Sequence, residues 1–326
     1  MKTIRVFAAL VIATGAFVST IQAVAQGQGY PNKPVHMIIA FPAGTATDIV
    51  GRVTSQKLAE IWGRSVVAEN RPGAGSSIGA AAVVKAPPDG YTLLFNSSAH
   101  TVNPSLYASL PFDTVKDLVD IAPIAAAPNV LVVNPASSIK SVADFIAEAK
   151  AKPGQINFGS AGVGTGTHLN LEKFKLMTGI DVTHIPYKGT PEVVTDIVGG
   201  RVTGYFAPIS AAIPFVQSGR LRAVAVSSAK RSSQLPNVPT IAEGGVPGFD
   251  FTLWFGLWGP AGMPPELVDK ISKDVNRVLA SADVREQLAK LGCDPMLMTP
   301  AEFSKYVRKE IEDNARIIKA AGIKAQ

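Results

Sequence analysis

The sequence predicts an α/β fold built on mostly parallel sheets, and three observations carry that reading. Strand-length apolar runs alternate with helix-length segments almost throughout the chain, the pattern of βαβ units. Gly and Pro number 29 and 24 among 326 residues and fall between those segments as turn punctuation. Hydrophobic residues make up 47% and charged residues 17%, a balance that suits well-packed domains and excludes a disordered chain. The length allows two ordinary domains.

The first block opens with residues 35–41, which read as a buried strand, His36 included as a core residue. Residues 42–47 form a short Gly-containing loop, and Thr47 or Asp48 is placed to cap a helix running to Trp62 and stopped by Gly63. Residues 65–69 are a second strand and 71–75 a loop, and Ser76 or Ser77 caps a helix to about Lys85. Residues 91–95 make a third strand ending at Asn96, Ser97 and Ser98.

The second block repeats the logic. Residues 130–133 are a strand, and Ser141 with Asp144 is a capping signal for a helix stopped at Pro153-Gly154. Strand 156–158 leads into the loop 159–167, whose helix runs to Thr178 with Gly179 as its stop. Strand 182–185, a helix opened by Thr190-Pro191, and strands 202–206 and 221–226 complete this part. Residues 251–258 are aromatic and extended, suited to a segment crossing between domains. Leu267, Ile271, Val275 and Val278 give a helical stripe, and Thr299-Pro300-Ala301-Glu302 is a capping box for a last helix. These helices lack a sheet of their own, so they are expected to pack back on the first block. That gives a discontinuous domain 1 (26–128 plus 252–326) and a domain 2 (129–251).

Residues 1–25 read as a cleaved signal peptide. Lys2 and Arg5 precede an apolar run, residues 6–18, too short to span a bilayer of about 30 Å hydrocarbon. Ala23-Val24-Ala25 is an A-x-A site, which puts the mature N-terminus at Gln26 in the periplasm. The lone cysteine, Cys293, leaves no intramolecular disulfide and reads as a small buried hydrophobe. The net charge of +6 falls to +4 without Lys2 and Arg5, too small and dispersed for a nucleic-acid footprint.

Two loops carry the chemistry. Phe41-Pro42-Ala43-Gly44-Thr45-Ala46-Thr47-Asp48 and residues 159–168 each join a strand to a helix. At such places free N–H groups and the positive end of the helix dipole favour an anion. The second loop has four glycines for close backbone approach, with Ser160, Thr165 and Thr167 as hydroxyl donors. Two ordinary Gly-rich turns would share this composition. His100 and His168 follow loops facing the expected cleft and suit either ligand contact or helix capping. The four histidines lack metal-ligand spacing, so no metal is expected, and no dinucleotide or P-loop signature supports a cofactor. Gly75-Ser76-Ser77-Ile78-Gly79 matches G-x-S-x-G, but Ser77 stands too far from its strand for a nucleophile elbow. No histidine follows His184 to complete a triad.

At these loops the chain resembles the tripartite tricarboxylate transporter receptors, also called Bug (Bordetella uptake gene) solute-binding proteins. The resemblance covers residues 29 to 323. It rests on residues 39–44 with Asp48, on 69–75, 87–94, 103–107 and 164–169, on Ile185-Pro186-Tyr187-Lys188-Gly189, on 239–243 and on Trp254-Phe255-Gly256. It implies a periplasmic-binding-protein type II-like fold: two α/β domains joined by crossing hinge segments, with the ligand cleft between them. It implies a non-enzymatic, monomeric receptor that captures a small carboxylate, such as a di- or tricarboxylate or an aromatic acid. Membrane subunits of the transporter would receive it; presenting it to a signalling partner is the alternative. The implied contacts are residues 41–48, Ala74, Ser97, Ser160, Ala161, Gly162, Gly164, Thr165, His168 and Pro208. The sequence departs from the family pattern at Thr45, at Thr203 and along Tyr205-Phe206-Ala207-Pro208, which bear on the far half of the pocket.

Overall fold

The computed structural model describes residues 29–163, 165–187 and 189–323. The expected signal peptide, its cleavage before Gln26, Gly164 and Lys188 lie outside them. The strands are β1 (Val35–Ile39), β2 (Val66–Asn70), β3 (Thr92–Ser97), β4 (Leu118–Val133), β5 (Asn157–Ser160), β6 (Thr183–Pro186), β7 (Gly204–Pro208), β8 (Arg222–Val226), β9 (Thr252–Pro260) and β10 (Asp294–Pro295). The helices are α1 (Ala46–Trp62), α2 (Ser77–Val84), α3 (Ala99–Leu106), α4 (Val142–Ala151), α5 (Gly166–Thr178), α6 (Thr190–Val198), α7 (Ile209–Gln217), α8 (Pro265–Ala280), α9 (Ala282–Lys290) and α10 (Pro300–Ala320).

The strands join in the order β2-β1-β3-β9-β4-β7-β5-β6, with β8 and β10 also pairing β4. β1 is parallel to β2 and β3, and β5 is parallel to β6 and β7, as the alternation predicts. But β9 is antiparallel to β3 and β4, and β4 is antiparallel to β7, β8 and β10, so the sheet is mixed rather than mostly parallel. β4 is far longer than the strand expected at residues 130–133. Its first stretch pairs β9 up to Pro128, and from Asn129 it pairs β7 and β8. Pro128 has no N–H to donate and falls where the partner changes; Pro123 falls at a register shift, where a ladder bond is already interrupted.

Ser227 ties the chain together at that change of partner. Its N–H donates to Asn129 O at 2.8 Å, and its Oγ accepts the Asn129 N–H at 2.9 Å. That Oγ donates to Phe251 O at 2.5 Å, while Phe251 N–H donates to Ser227 O at 2.7 Å. The strand into β4's second stretch and the strand into β9 thus pass side by side.

Both faces of the sheet are covered, which is why its strands read as continuous apolar runs rather than alternating ones. Ile39, Phe95 and Phe255 pack under α8 with Ile271 and Val275, while their neighbours Ile38, Leu94 and Trp254 pack with Phe303 and Val307 of α10. Beyond Asn129, Leu131 joins Phe158, Phe174 and Phe206 on one face, and Val130 joins Tyr205 and Ile197 on the other. The terminal helices cover the first block as expected, and α10 also reaches α5, where Ile317 and Ile318 pack on Leu169.

The capping boxes Ser141/Asp144 and Thr299/Glu302 form, and Gly63 and Gly179 end their helices in the left-handed conformation. Cys293 is buried and unpaired. Three expectations are corrected. His36 is not a core residue: it lies half exposed at the start of β1, its Nδ1 2.6 Å from Glu69 Oε1 on the neighbouring strand. The cap of α1 is Thr45, not Thr47 or Asp48. Neither Ser76 nor Ser77 caps α2 with its side chain; Ser76 has φ 83°, and its Oγ accepts from Asn96 and Asn103 instead.

Candidate functional site

The loop before α1 is closed on itself. Gly44 adopts φ 81°, which a side chain would resist, and lets the chain reverse after Pro42. Thr45 Oγ1 donates to Pro42 O at 2.8 Å and accepts the Asp48 N–H at 3.3 Å. The buried Asp48 carboxylate accepts from Gly44 N at 2.9 Å, from Arg52 Nε at 2.8 Å and from Asn70 Nδ2 at 2.8 Å. Burial would raise its pKa, but the bonds from Asn70, Gly44 and Arg52 prevail and hold it below the ordinary value. Asp48 is therefore a brace for the loop. The helix ladder leaves the N–H groups of Ala46 and Thr47 without an intrahelical acceptor.

The loop before α5 is braced from the neighbouring strand. Ser160 Oγ lies 2.6 Å from His184 Nε2 and accepts the Gly162 N–H at 3.1 Å. Gly162 has φ 130°, and Thr165 Oγ1 donates to its carbonyl at 2.7 Å. Thr167 Oγ1 accepts the Ala161 N–H at 2.9 Å. The His168 ring stacks on His184 with centroids 4.0 Å apart and planes at 10°. Burial pushes both down to about 4; Lys175 adds to this at His168, and His168 itself at His184. At neutral pH the pair is uncharged. Ser160 is fully buried and engaged with the loop, so its histidine partner makes it a strut rather than an exposed nucleophile.

Between these loops lies a cavity of about 380 Å³, within the range of small-molecule sites. Of the expected contacts, Phe41, Ser97 and Thr165 line it, joined by Gly166 at the first turn of α5. Val102, Leu169 and Leu253 supply apolar wall, and Glu310 and Asn314 of α10 supply polar wall. The rest of residues 42–48, Ala74, Ser160, Ala161, Gly162 and His168 do not line it; Ala74 is exposed at φ 44°, and Pro208 ends β7 opposite Asn129. His100, a candidate contact, is buried against Trp258 at 4.5 Å between centroids. A larger recess of about 620 Å³ beside Tyr30, Asp89 and Glu266 contains no residue of either loop.

Sequence reasoning missed His184, Glu310 and Asn314. The α10 pair did leave a signal: positions 303, 307, 310, 314 and 317 form one helical stripe, and two of them are polar. Glu310 Oε2 accepts from Trp254 Nε1 at 2.9 Å, and Asn314 Nδ2 donates to Thr101 Oγ1 at 3.1 Å. Burial raises the Glu310 pKa against the pull of the Trp254 bond.

Comparisons with known proteins agree on the kind of molecule. The family model described as "Tripartite tricarboxylate transporter family receptor" matches residues 50–323. Protein BugT of Bordetella pertussis is 37% identical over 319 residues, 97% of this chain and 98% of that one. A solved R. palustris protein with adipate is 34% identical, with a TM-score of 0.74 over 91% of this chain and 100% of that one. The Rhodopseudomonas palustris protein MatC with bound malate is 28% identical, with a TM-score of 0.69 over 89% of this chain and 100% of that one. Among the described residues no helix is long and apolar enough to cross a membrane.

Proposed function

The chain belongs to the tripartite tricarboxylate transporter receptor family, and from that premise we propose that it captures a small carboxylate and delivers it to the membrane subunits of such a transporter. The carrying observation is the cavity whose wall includes Thr165 and Gly166 at the N-terminus of α5. Free N–H groups there, with the helix dipole behind them, favour a carboxylate without a formal cation. The adipate and malate complexes of relatives support the ligand class.

In this reading residues 26–128 with 252–326 form one domain and 129–251 the other, and the ligand draws them together about the β4 and β9 crossings. The site binds without catalysing, the protein works as a monomer, and cleavage after Ala25 releases it into the periplasm. The loop residues that stand back from the cavity, Pro42 to Asp48 with Ser160, Ala161, Gly162 and His168, belong to the grip once the domains close.

A thermal-shift screen of organic acids tests this. A ligand that binds only the folded state at 100 times its Kd adds about 2.7 kcal/mol of stability. A raised Tm with a carboxylate, no turnover of it, and an intact mass beginning at Gln26 are expected. A panel of organic acids none of which shifts Tm counts against the receptor reading.

A further inference from the structure

The cavity's polar wall is rich in acceptors. Among the described residues that line it, Glu310 is the only formally charged one, and no Lys or Arg joins it. Asn314 Nδ2 donates one N–H to Thr101 Oγ1, whose own proton is shared between Ser98 O at 2.8 Å and Glu310 Oε2 at 3.5 Å, so Asn314 offers the cavity Oδ1 as an acceptor and its second N–H as a donor. Asn103 likewise donates Nδ2 to Gly75 O at 2.7 Å and to Ser76 Oγ at 3.3 Å, again leaving Oδ1. A carboxylate and two amide carbonyls thus share one partly desolvated space with the apolar side chains Val102, Leu169 and Leu253.

We propose that the occupant is an ω-amino carboxylate: its carboxylate rests at the first turn of α5, an apolar chain follows, and its cationic end meets Glu310 with Asn314 and Asn103. This rests on the carboxylate-receptor reading and deepens it. An ammonium carries three donors and no acceptor, which suits the carboxylate of Glu310 and the Oδ1 atoms of Asn314 and Asn103. A second carboxylate, such as the one adipate carries, would meet another carboxylate and two carbonyls with no cation to pair it. Burial raises the Glu310 pKa, with Asp250 and Asp313 adding to it against the Trp254 bond and the charge of Lys173, and a bound ammonium would pull it down.

Calorimetry on the full chain with matched acids tests the idea: 6-aminohexanoate, hexanoate and adipate, and their four-carbon counterparts 4-aminobutyrate, butyrate and succinate. In at least one series the amino acid is expected to bind tenfold or more tighter than its uncharged analogue, and tighter still than the diacid. Glu310→Gln, which keeps an acceptor for Trp254 Nε1, is expected to erase that preference, read as the ratio of the two Kd values within each series. The rank order in the unmodified protein decides the matter even if this variant folds poorly. If acids bind but no amino acid outbinds its uncharged analogue, or a diacid binds tightest, the inference is overturned and the receptor reading stands. If no acid binds at all, the receptor reading itself fails and takes this inference with it.

Discussion

The carboxylate of Asp48 accepts the N–H of Gly44 at 2.9 Å, reaching four residues back along the chain to close the turn in front of α1. The same group takes bonds from Arg52 and Asn70, so one buried side chain fixes the loop, the helix start and the end of β2.

Asp48→Ala should therefore destabilise the fold by about 2–4 kcal/mol, since hydrogen bonds to a charged group are worth about 1.5–3 kcal/mol each and the three are not additive. Arg52 is half exposed and contributes little of this. The folded pKa lies below the ordinary 3.8, so the contribution is whole above that value and is lost as pH falls through the lowered one. Urea titrations from pH 7 to pH 2.5 should show a gentler acid limb in Asp48→Asn than in the unmodified protein.

His168 and His184 should stay neutral well below the usual histidine range. Both are pushed down to about 4 from an ordinary 6.5, so between those values the unfolded chain takes up protons that the folded one refuses. Stability should hold above pH 6.5 and decline as pH falls toward 4. Imidazole NMR titrations would place both midpoints below 5. A double variant, His168→Gln with His184→Gln, whose Tm falls just as steeply over that range would assign the slope to other groups.

Replacing Gly162 tests the second loop. Its φ of 130° is unfavourable for any L side chain, and an added Cβ would lie 3.4 Å from Tyr187 O. Gly162→Val should weaken binding of the identified carboxylate by roughly tenfold to several thousandfold. Thr165→Val, which removes the hydroxyl bonded to Gly162 O, should cost about one such bond. Ser77→Ala, outside the cavity wall, should bind normally. Full affinity in both loop variants, with folding confirmed by circular dichroism, would move the grip elsewhere.

Ligand-induced fluorescence should come from Trp254. Its indole N–H bonds Glu310, which lines the cavity, whereas Trp258 bonds Asp120 at 2.7 Å and Trp62 bonds Asp274 at 2.7 Å. Trp254→Phe should remove most of the response and Trp258→Phe little of it. The opposite pattern would place the ligand nearer Asp120.

Local signals in the sequence carried the parts of the fold that local physics decides. Ser141 with Asp144 and Thr299 with Glu302 satisfy orphan helix donors within four residues, so both boxes were legible, as were the glycine stops of α1 and α5. The first stretch of β4 was not, because Pro123, Pro128 and four alanines make a poor strand until β9 supplies its partner. Helix α3 was hidden by Pro104, whose neighbourhood reads as a break. The loops were found as anion-binding candidates from glycine and hydroxyl content. Their braces were not, since Asn70 lies 22 residues from Asp48 and His184 lies 24 from Ser160.

The paired passage at Asn129, Ser227 and Phe251 has a mechanical consequence. In the proposed closure, two neighbouring strands stitched by one serine would define a line that favours a single rotation over twist and sideways slip. The contact of Leu169 with Ile317 and Ile318 would then oppose opening, because parting it wets apolar surface at about 25 cal/mol per Å². A membrane partner would meet two well-defined outlines of this protein, one for each end of that swing.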